Sequence, residues 1–546
     1  MLNKQINILI VIPARGGSKS IPRKNLRLLN GKPLIYYSIK TALSSRFNAD
    51  IYVSSDDDEI LITAKLFGAL PHKRDARIAD DKSTLDPVIY SCYEFAMQEN
   101  CKSYDLIITM QPTSPLLKTS SLDSAIQQAI DNFKTDTIIA AKDTTSLTWR
   151  KEDNKYLPNY KKRLNRQDLT PNYTETGAFL ITRKSVISPT NRIGDHVDLY
   201  LLSDGEEIDI DTFDDWNICE YKLKRKTILF VVTGNKIVGL GHVYNTLLLA
   251  NDILDHDVLF LVDDTSQLAF DKIAEKNYTV LKQKNQNIVE DIVSINPDVV
   301  INDILDTSKE YVSELRNKGY KVINFEDLGE GSKEAGLVFN AIYPNKGIKP
   351  NHYFGADYFV LRDEFIYSKT KKINKNVESV LITFGGVDPN NYTLKVIKTI
   401  YDYCQEKNIK ISVIAGFGYN KYKTLEKFNN ITIYKDISNI SEYMLQSDLI
   451  FTSAGRTTYE IASLGIPAIV LAQNERELTH FFANNEYGFL NLGLGYKLKP
   501  EELRINFLDI CNSFDSRVHM NKQMLKIDLK SGRSKVIKLI KEFIGS

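Results

Sequence analysis

The stretch "VIPARGGSKSIPRKN", residues 11–25, leaves an apolar strand and at once crowds Arg15, Lys19, Arg23 and Lys24 around Gly16 and Gly17. Ser18, Ser20 and Asn25 add neutral hydrogen-bonding groups. Consecutive glycines after a strand let several backbone N–H groups face one point, an anion nest, and a following helix would add its positive end. The composition suits a polyphosphate; the plain alternative is a glycine turn with solvated lysines. It is not a Walker loop, because the G-x-x-x-x-G-K-[ST] spacing is absent.

Working outward, "NILIVIPA" (7–14), "TILFVVTG" (227–234) and "SVLITFGG" (379–386) are short β-branched runs, the last two ending in Gly, each followed by a helix-like pattern. Between them, runs such as "ADIYVSS", "DLIITMQ", "TDTIIAAK", "PDVVIND" and "SDLIFTSAG" alternate with amphipathic stretches. This alternation predicts an α/β protein with parallel sheets. The charged stretches "EYKLKRK" (220–226) and "YSKTKKINKNVES" (367–379) each precede a fresh strand and read as boundaries. The expected plan is a Rossmann-like domain over 1–225, then two lobes over 227–375 and 376–546. A length of 546 residues agrees with roughly three or four folding units.

Lys and Arg total 70 against 69 Asp and Glu, so a net charge of +1 provides no field for gripping nucleic acid. Any anion site must be local. Five dispersed cysteines with no CxxC pair argue against both a disulfide framework and a cysteine zinc site. The longest apolar runs fall short of the roughly 18 residues of a membrane span. "INILIVIPA" lies near the start but lacks a small-residue cleavage site, so it reads as a buried strand, and the cytoplasm is the expected compartment.

"IDID" places Asp209 and Asp211 two residues apart, so on a strand both carboxylates leave one face. Side by side they repel unless a cation sits between them, and oxygen-only ligands favour Mg²⁺. A solvent-facing acidic strand end is the alternative.

These residues resemble CMP-sialic acid synthetases, the acylneuraminate cytidylyltransferases. The likeness is carried in order by "IPARGGSKSIPRKN", "VSSDDDEI" (53–60), "RDARIADD" (74–81), "MQPTSPLL" (110–117), "RQDLTPNYTETGAF" (166–179) and "EIDIDTFDDW" (207–216). The resemblance implies transfer of CMP from CTP to a nonulosonic acid, with pyrophosphate released and Mg²⁺ held by Asp209 and Asp211. It implies that Arg15 and Lys24 hold phosphates on the Gly16–Gly17–Ser18 loop, and that Asn25 contacts the nucleotide. Arg74 and Ser83 would read cytosine; Gln111, Gln167 and Tyr173 would border the acceptor pocket. Ser20 stands for a usual Gly, Asp75 for a usual Pro, Leu117 for a usual Arg and Thr176 for a usual Asn. Synthetases of this type tend to be homodimers.

"VGLGHVYNTLLLA" (238–250) repeats the strand–glycine–helix logic with His242 at the helix start, where a positive helix end favours a neutral imidazole able to take a proton. A capping or packed histidine is the alternative. "FGGVDPNN" (384–391) and "SAGRTTYEIASLGIPAIVLAQNERE" (453–477) offer two further glycine turns. Gly455 would let backbone approach a diphosphate, and Glu460 could accept from ribose hydroxyls. Together with "YFGADYFVLRDEF" (353–365), these resemble the nucleotide-sugar hydrolase of pseudaminic acid biosynthesis, a relative of two-lobed GT-B glycosyltransferases. The resemblance implies that His242, after Gly241, is the base that activates water, and that a UDP-sugar is bound. Where that family has an R-x-D pair this chain reads Thr233–Gly234–Asn235, and Asn245 stands for an Arg. A glycosyltransferase or a non-catalytic binding module remains open for this region.

Overall fold

The computed structural model describes residues 6–18, 20–78, 84–203, 205–235, 238–344, 350–416, 418–419, 421–435, 437 and 439–545. The chain divides into two compact units, Met1–Arg225 and Lys226–Ser546. No helix of the described residues is long and apolar enough to cross a membrane.

Among the described residues the first unit is built on a seven-stranded sheet. In spatial order its strands are Val197–Leu201, Thr137–Asp143, Tyr173–Arg183, Leu106–Thr109, Ile8–Pro13, Ala49–Ser55 and Leu70–Lys73. Ile8–Pro13 lies inside the sheet, between Leu106–Thr109 and Ala49–Ser55, and is buried along its whole length, which is why it reads as an unbroken apolar run. Helices cover both faces, and the larger core packs Ile10, Ile12, Ile39, Ile108 and Ile181 together. Contrary to the all-parallel expectation, Tyr173–Arg183 runs antiparallel to both its neighbours. Its register shifts between Glu175 and Leu180, and this break leaves the Gly177 carbonyl to accept from the Gln111 N–H at 3.1 Å.

A second correction concerns the helix expected after the glycine loop. A single 3-10 turn, Lys24–Leu26, and a two-strand hairpin come first, and the helix starts only at Leu34. The stretch expected as an open boundary at 220–226 is mostly the last turn of helix Phe213–Lys224, capped by reciprocal Thr212–Asp215 hydrogen bonds.

The second unit carries two parallel sheets. One runs Thr279–Lys282, Asp257–Val262, Thr227–Val232, Val299–Asp303, Lys321–Phe325, Leu337–Asn340, His352–Phe354. The other runs Ile431–Lys435, Lys410–Ala415, Ser379–Ile382, Leu449–Thr452, Ala468–Ala472, Phe489–Leu494. Each therefore has a central first strand with the order reversing beside it, the arrangement that opens a crevice at the carboxyl ends. The lobe boundary expected at 376 fails for the final helix. Gly532–Gly545 returns to the first lobe, where Val536, Ile540 and Ile544 join the core of Ile228, Phe230 and Val299. The returning chain is pressed against the outgoing one: a Cβ on Gly532 would stand 2.5 Å from the Phe359 carbonyl oxygen. Arg533 then donates to the Leu361 carbonyl and pairs with Asp252 at 2.9 Å.

Candidate functional sites

In the first unit, four carboxyl strand ends converge. The loop after strand Ile8–Pro13 is stitched to the neighbouring strand: the Ala14 N–H donates to the Ser54 carbonyl and the Gly16 N–H to Asp56 Oδ1, both at 3.0 Å. Glycine is required at 16, because a Cβ there would lie 2.9 Å from the Asp57 side chain. Among the described residues nothing crowds Gly17. Asn25 is buried and donates to the Arg15 carbonyl at 2.9 Å, bending the loop back on itself. Arg15, Gly16 and Asn25 share a small pocket with Leu26 and Ile60. Arg23 turns outward to an exposed ion pair with Glu59. Ser18 borders the loop, half-buried.

Arg74 follows the edge strand Leu70–Lys73 and is buried, donating to the Ser54 carbonyl at 2.8 Å. Burial, with Arg15 nearby, lowers its affinity for a proton, while Asp56 opposes both. His72 beside it is pushed down to about 4 by burial and then by Arg74. Ser83 lies outside the described residues.

The acidic pair approaches from the other side. Residues 208–211 form no ladder with a strand; the Ile210 N–H donates to the Thr113 carbonyl at 2.8 Å. The expected strand is thus an extended segment laid on the 112–115 turn, yet the alternation holds, with Ile210 fully buried and the aspartates on the opposite side. Lys24 joins this segment to the loop. Its Nζ donates to the Ile210 carbonyl at 2.6 Å and lies 3.6 Å from Asp211 Oδ1. Asp211 is exposed, whereas Asp209 Oδ1 is buried without a hydrogen-bond partner. Burial holds the Asp209 carboxyl above its usual range and Asp211 adds to the push, while the neighbouring Thr113 hydroxyl and Lys24 oppose it. A Cβ on Gly177 would meet Asp209 Oδ1 at 3.2 Å and the Gln111 carboxamide at 3.3 Å, so Gln111 and Asp209 flank one glycine.

An orphaned buried carboxylate oxygen beside a second carboxylate fits a hard dication. No group of three or more His, Cys, Asp or Glu side chains among the described residues is arranged to hold a metal. A Mg²⁺ ion held here would therefore draw its other ligands from water and phosphate, as that ion commonly does. Gln167, in the 3-10 turn Arg166–Asp168, and Tyr173 lie on an exposed arm that also bears Trp149 and Tyr156. Leu117 is buried in the core rather than facing a pocket, and Thr176 donates to the Ala140 carbonyl.

In the second unit, helix Gly241–Asp252 begins one residue before His242. Its Nδ1 is hydrogen-bonded at 2.5 Å to Oδ1 of Asp303, the wholly buried last residue of strand Val299–Asp303. Asn245 donates to the other oxygen, Oδ2, at 2.7 Å. With both carboxylate oxygens accepting, Nδ1 is the ring nitrogen that donates to Asp303, and Nε2 is the one left to face a ligand. The proton position thus comes from Asp303, which the sequence reading did not select, more than from the helix end. Gly455 opens the turn before helix Thr457–Leu464 with ordinary clearance around it. Glu460 is committed to an ion pair: its Oε1 accepts from Arg362 at 2.8 Å.

Two further residues missed from sequence lie beside His242. Arg456 donates to Asn245 Oδ1 at 2.9 Å and approaches Glu326 at 3.7 Å. Glu326 is buried and sits at φ 50°, a left-handed conformation that a glutamate adopts only when its surroundings impose it. Burial pushes its carboxyl up to about 7, with Asp303 adding and Arg456 and His242 opposing. A buried network braces that turn: Asp327 accepts from Thr307 and Asn324, and Asn340 accepts from the Asp327 N–H.

A profile of the cytidylyltransferase family matches residues 9–227. A pseudaminic acid cytidylyltransferase of Campylobacter jejuni is 35% identical over 231 residues, covering 40% of this chain and 98% of that protein. An uncharacterized protein of Methanocaldococcus jannaschii is 35% identical over 270 residues, 45% of this chain; the chain spans 56% of that relative's length. A Helicobacter pylori protein named as pseudaminic acid cytidylyltransferase and UDP-2,4-diacetamido-2,4,6-trideoxy-beta-L-altropyranose hydrolase is 24% identical over 484 residues, covering 85% of this chain and 87% of that protein.

Proposed function

The chain belongs to the cytidylyltransferase family, and from that premise we propose that its first unit transfers CMP from CTP to a nonulosonic acid. The hydroxyl on the sugar acid's anomeric carbon attacks the α-phosphorus, and pyrophosphate departs. Phosphoryl transfer needs positioning and charge neutralisation more than covalent help, so a cationic loop facing two carboxylates is sufficient equipment. Arg15 and Lys24 hold the phosphates, the open face of Gly17 lets backbone approach them, and buried Asn25 and Arg74 border the nucleoside. Bound Mg²⁺, held by Asp209 and Asp211, would neutralise the triphosphate. The single supporting observation is Lys24, whose ammonium touches the peptide between the two aspartates at 2.6 Å. The test is pyrophosphate release from CTP, scanned over sialic, legionaminic and pseudaminic acids; no release with any of the three would overturn the assignment.

For the second unit we favour hydrolysis of a nucleotide sugar of the same pathway, because Asp303 leaves His242 Nε2 able to take a proton from water. The H. pylori relative's name supports that pairing of activities in one chain. Nucleoside diphosphate and free sugar appearing from a UDP-sugar without acceptor supports this reading, and strict dependence on an acceptor favours a glycosyltransferase. The exposed arm with Trp149, Tyr156 and Tyr173 supports a homodimer, and reliance on CTP supports a cytoplasmic location; sedimentation and fractionation test these.

A further inference from the structure

The helix that carries His242 has Asn245 where the resembling hydrolases carry a cation, and the turn after strand Thr227–Val232 reads Thr233–Gly234–Asn235. A diphosphate approaching this side would meet no cationic side chain at those positions. The charge is present, but it arrives from the other lobe.

Arg456 lies in the turn ahead of helix Thr457–Leu464 and crosses to the His242 helix, where its Nη2 donates to Asn245 Oδ1 at 2.9 Å. Its guanidinium carbon stands 4.7 Å from the centre of the Phe359 ring. The glycine beside His242 leaves a lane for the stem: a Cβ on Gly241 would be 3.4 Å from Arg456 Cδ. The side chain remains 25% exposed, so solvent and ligand can reach it. Its neighbours position it without cancelling its charge. They are an amide, an aromatic face, and the Glu326 carboxyl, which stands 3.7 Å away and which burial drives toward its neutral form.

We propose that Arg456 grips the diphosphate of the nucleotide bound between the two lobes, taking the place of the guanidinium that position 245 lacks. This rests on reading the second unit as a nucleotide-sugar site. The planar fork of Arg suits two phosphate oxygens at once, a task that a Lys point charge performs less well.

The test is calorimetric titration of the full chain, with CTP present to occupy the first unit, using UDP, GDP and dTDP in turn and then the matching monophosphate. The wild-type chain is expected to prefer a diphosphate over its monophosphate. Arg456→Ala should lose about tenfold or more in diphosphate affinity while monophosphate binding changes little, and Arg456→Lys should recover only part. Adding Asn245→Arg to Arg456→Ala should restore most of the loss, a rescue that a merely structural arginine would not show. If Arg456→Ala lowers Tm, the lysine variant and the rescue pair carry the comparison. Diphosphate binding by the wild-type chain that Arg456→Ala and Arg456→Lys leave unchanged would overturn the inference while sparing the nucleotide-sugar reading. A wild-type chain that binds none of the three diphosphates would sink both.

Discussion

Lys24 reaches across the first site to the Ile210 carbonyl at 2.6 Å, with Asp211 Oδ1 3.6 Å from the same nitrogen. One ammonium thereby fastens the glycine loop to the acidic segment, although 186 residues separate them in the chain. Both ends of the proposed CTP site are thus set in place by the fold before ligand arrives. The side chain is only 12% exposed, so its charge is screened little by solvent.

Replacing Lys24 by Met should lower pyrophosphate release from CTP by about 100-fold or more, the scale of losing one positioned electrostatic donor. Lys24→Arg should retain part of the rate. Equal rates in all three proteins would remove Lys24 from the site.

Asp209→Asn should separate stability from activity. Burial raises the Asp209 carboxyl in the folded chain, so the folded state holds its proton more tightly than the unfolded one. Stability from this group is present at low pH and is lost as pH rises through its raised folded value. With a chelator present at about pH 7.5, Asp209→Asn should therefore melt above wild type, while its Mg²⁺-supported pyrophosphate release falls about 100-fold. A lower Tm with unchanged activity would contradict both halves.

In the second unit, His242→Gln should cut release of nucleoside diphosphate from a UDP-sugar by about 10²- to 10⁴-fold, the usual worth of a general base. Asp303→Asn should cost less and shift the pH–rate profile, since it orients the imidazole without touching substrate. Unaltered release in both variants would return this unit to a binding role.

Glu326 predicts a pH dependence. Its carboxyl, pushed up to about 7, faces Arg456, Asp303 and His242. An anionic diphosphate on Arg456 favours protonated Glu326, so UDP affinity should fall as pH rises from about 6 to 8. Glu326→Gln should flatten the part of that slope not shared with UDP itself. Identical slopes in the two proteins would show that Glu326 does not sense the ligand.

Removing residues 532–546 should strip Val536, Ile540 and Ile544 from the first lobe's core. Full burial of such side chains contributes roughly 1.5–3 kcal/mol each, so the loss is about 5–9 kcal/mol. The truncated chain is expected to aggregate or to melt far below wild type, as read by calorimetry.

The sequence made the α/β plan legible because buried parallel strands such as Ile8–Pro13 and Val299–Asp303 are short unbroken apolar runs. It hid the antiparallel Tyr173–Arg183, since direction leaves no trace in hydrophobic pattern. Arg15, Gly16, Lys24, Asp209 and Asp211 stand out in the sequence because each lies in a short run of like chemistry, and the fold does bring Lys24 to Ile210 and Asp211. Asp303, Glu326 and Arg456 were not, because each is a single residue at the end of a different strand or turn and only folding brings them to His242. "VVIND" did carry a faint signal: a carboxylate closing an apolar strand sits at the crevice edge. The final helix was assigned to the wrong lobe because amphipathic spacing shows that a helix has a buried face, not what buries it.

The contact of Gly532 with Phe359 has a mechanical meaning. Two neighbouring straps, pinned by Arg533, pass between the halves of the second unit side by side. The halves are also joined by Arg456 to Asn245 and by Arg476 to Asp306. A nucleotide entering the crevice therefore meets walls already fastened to each other at several points.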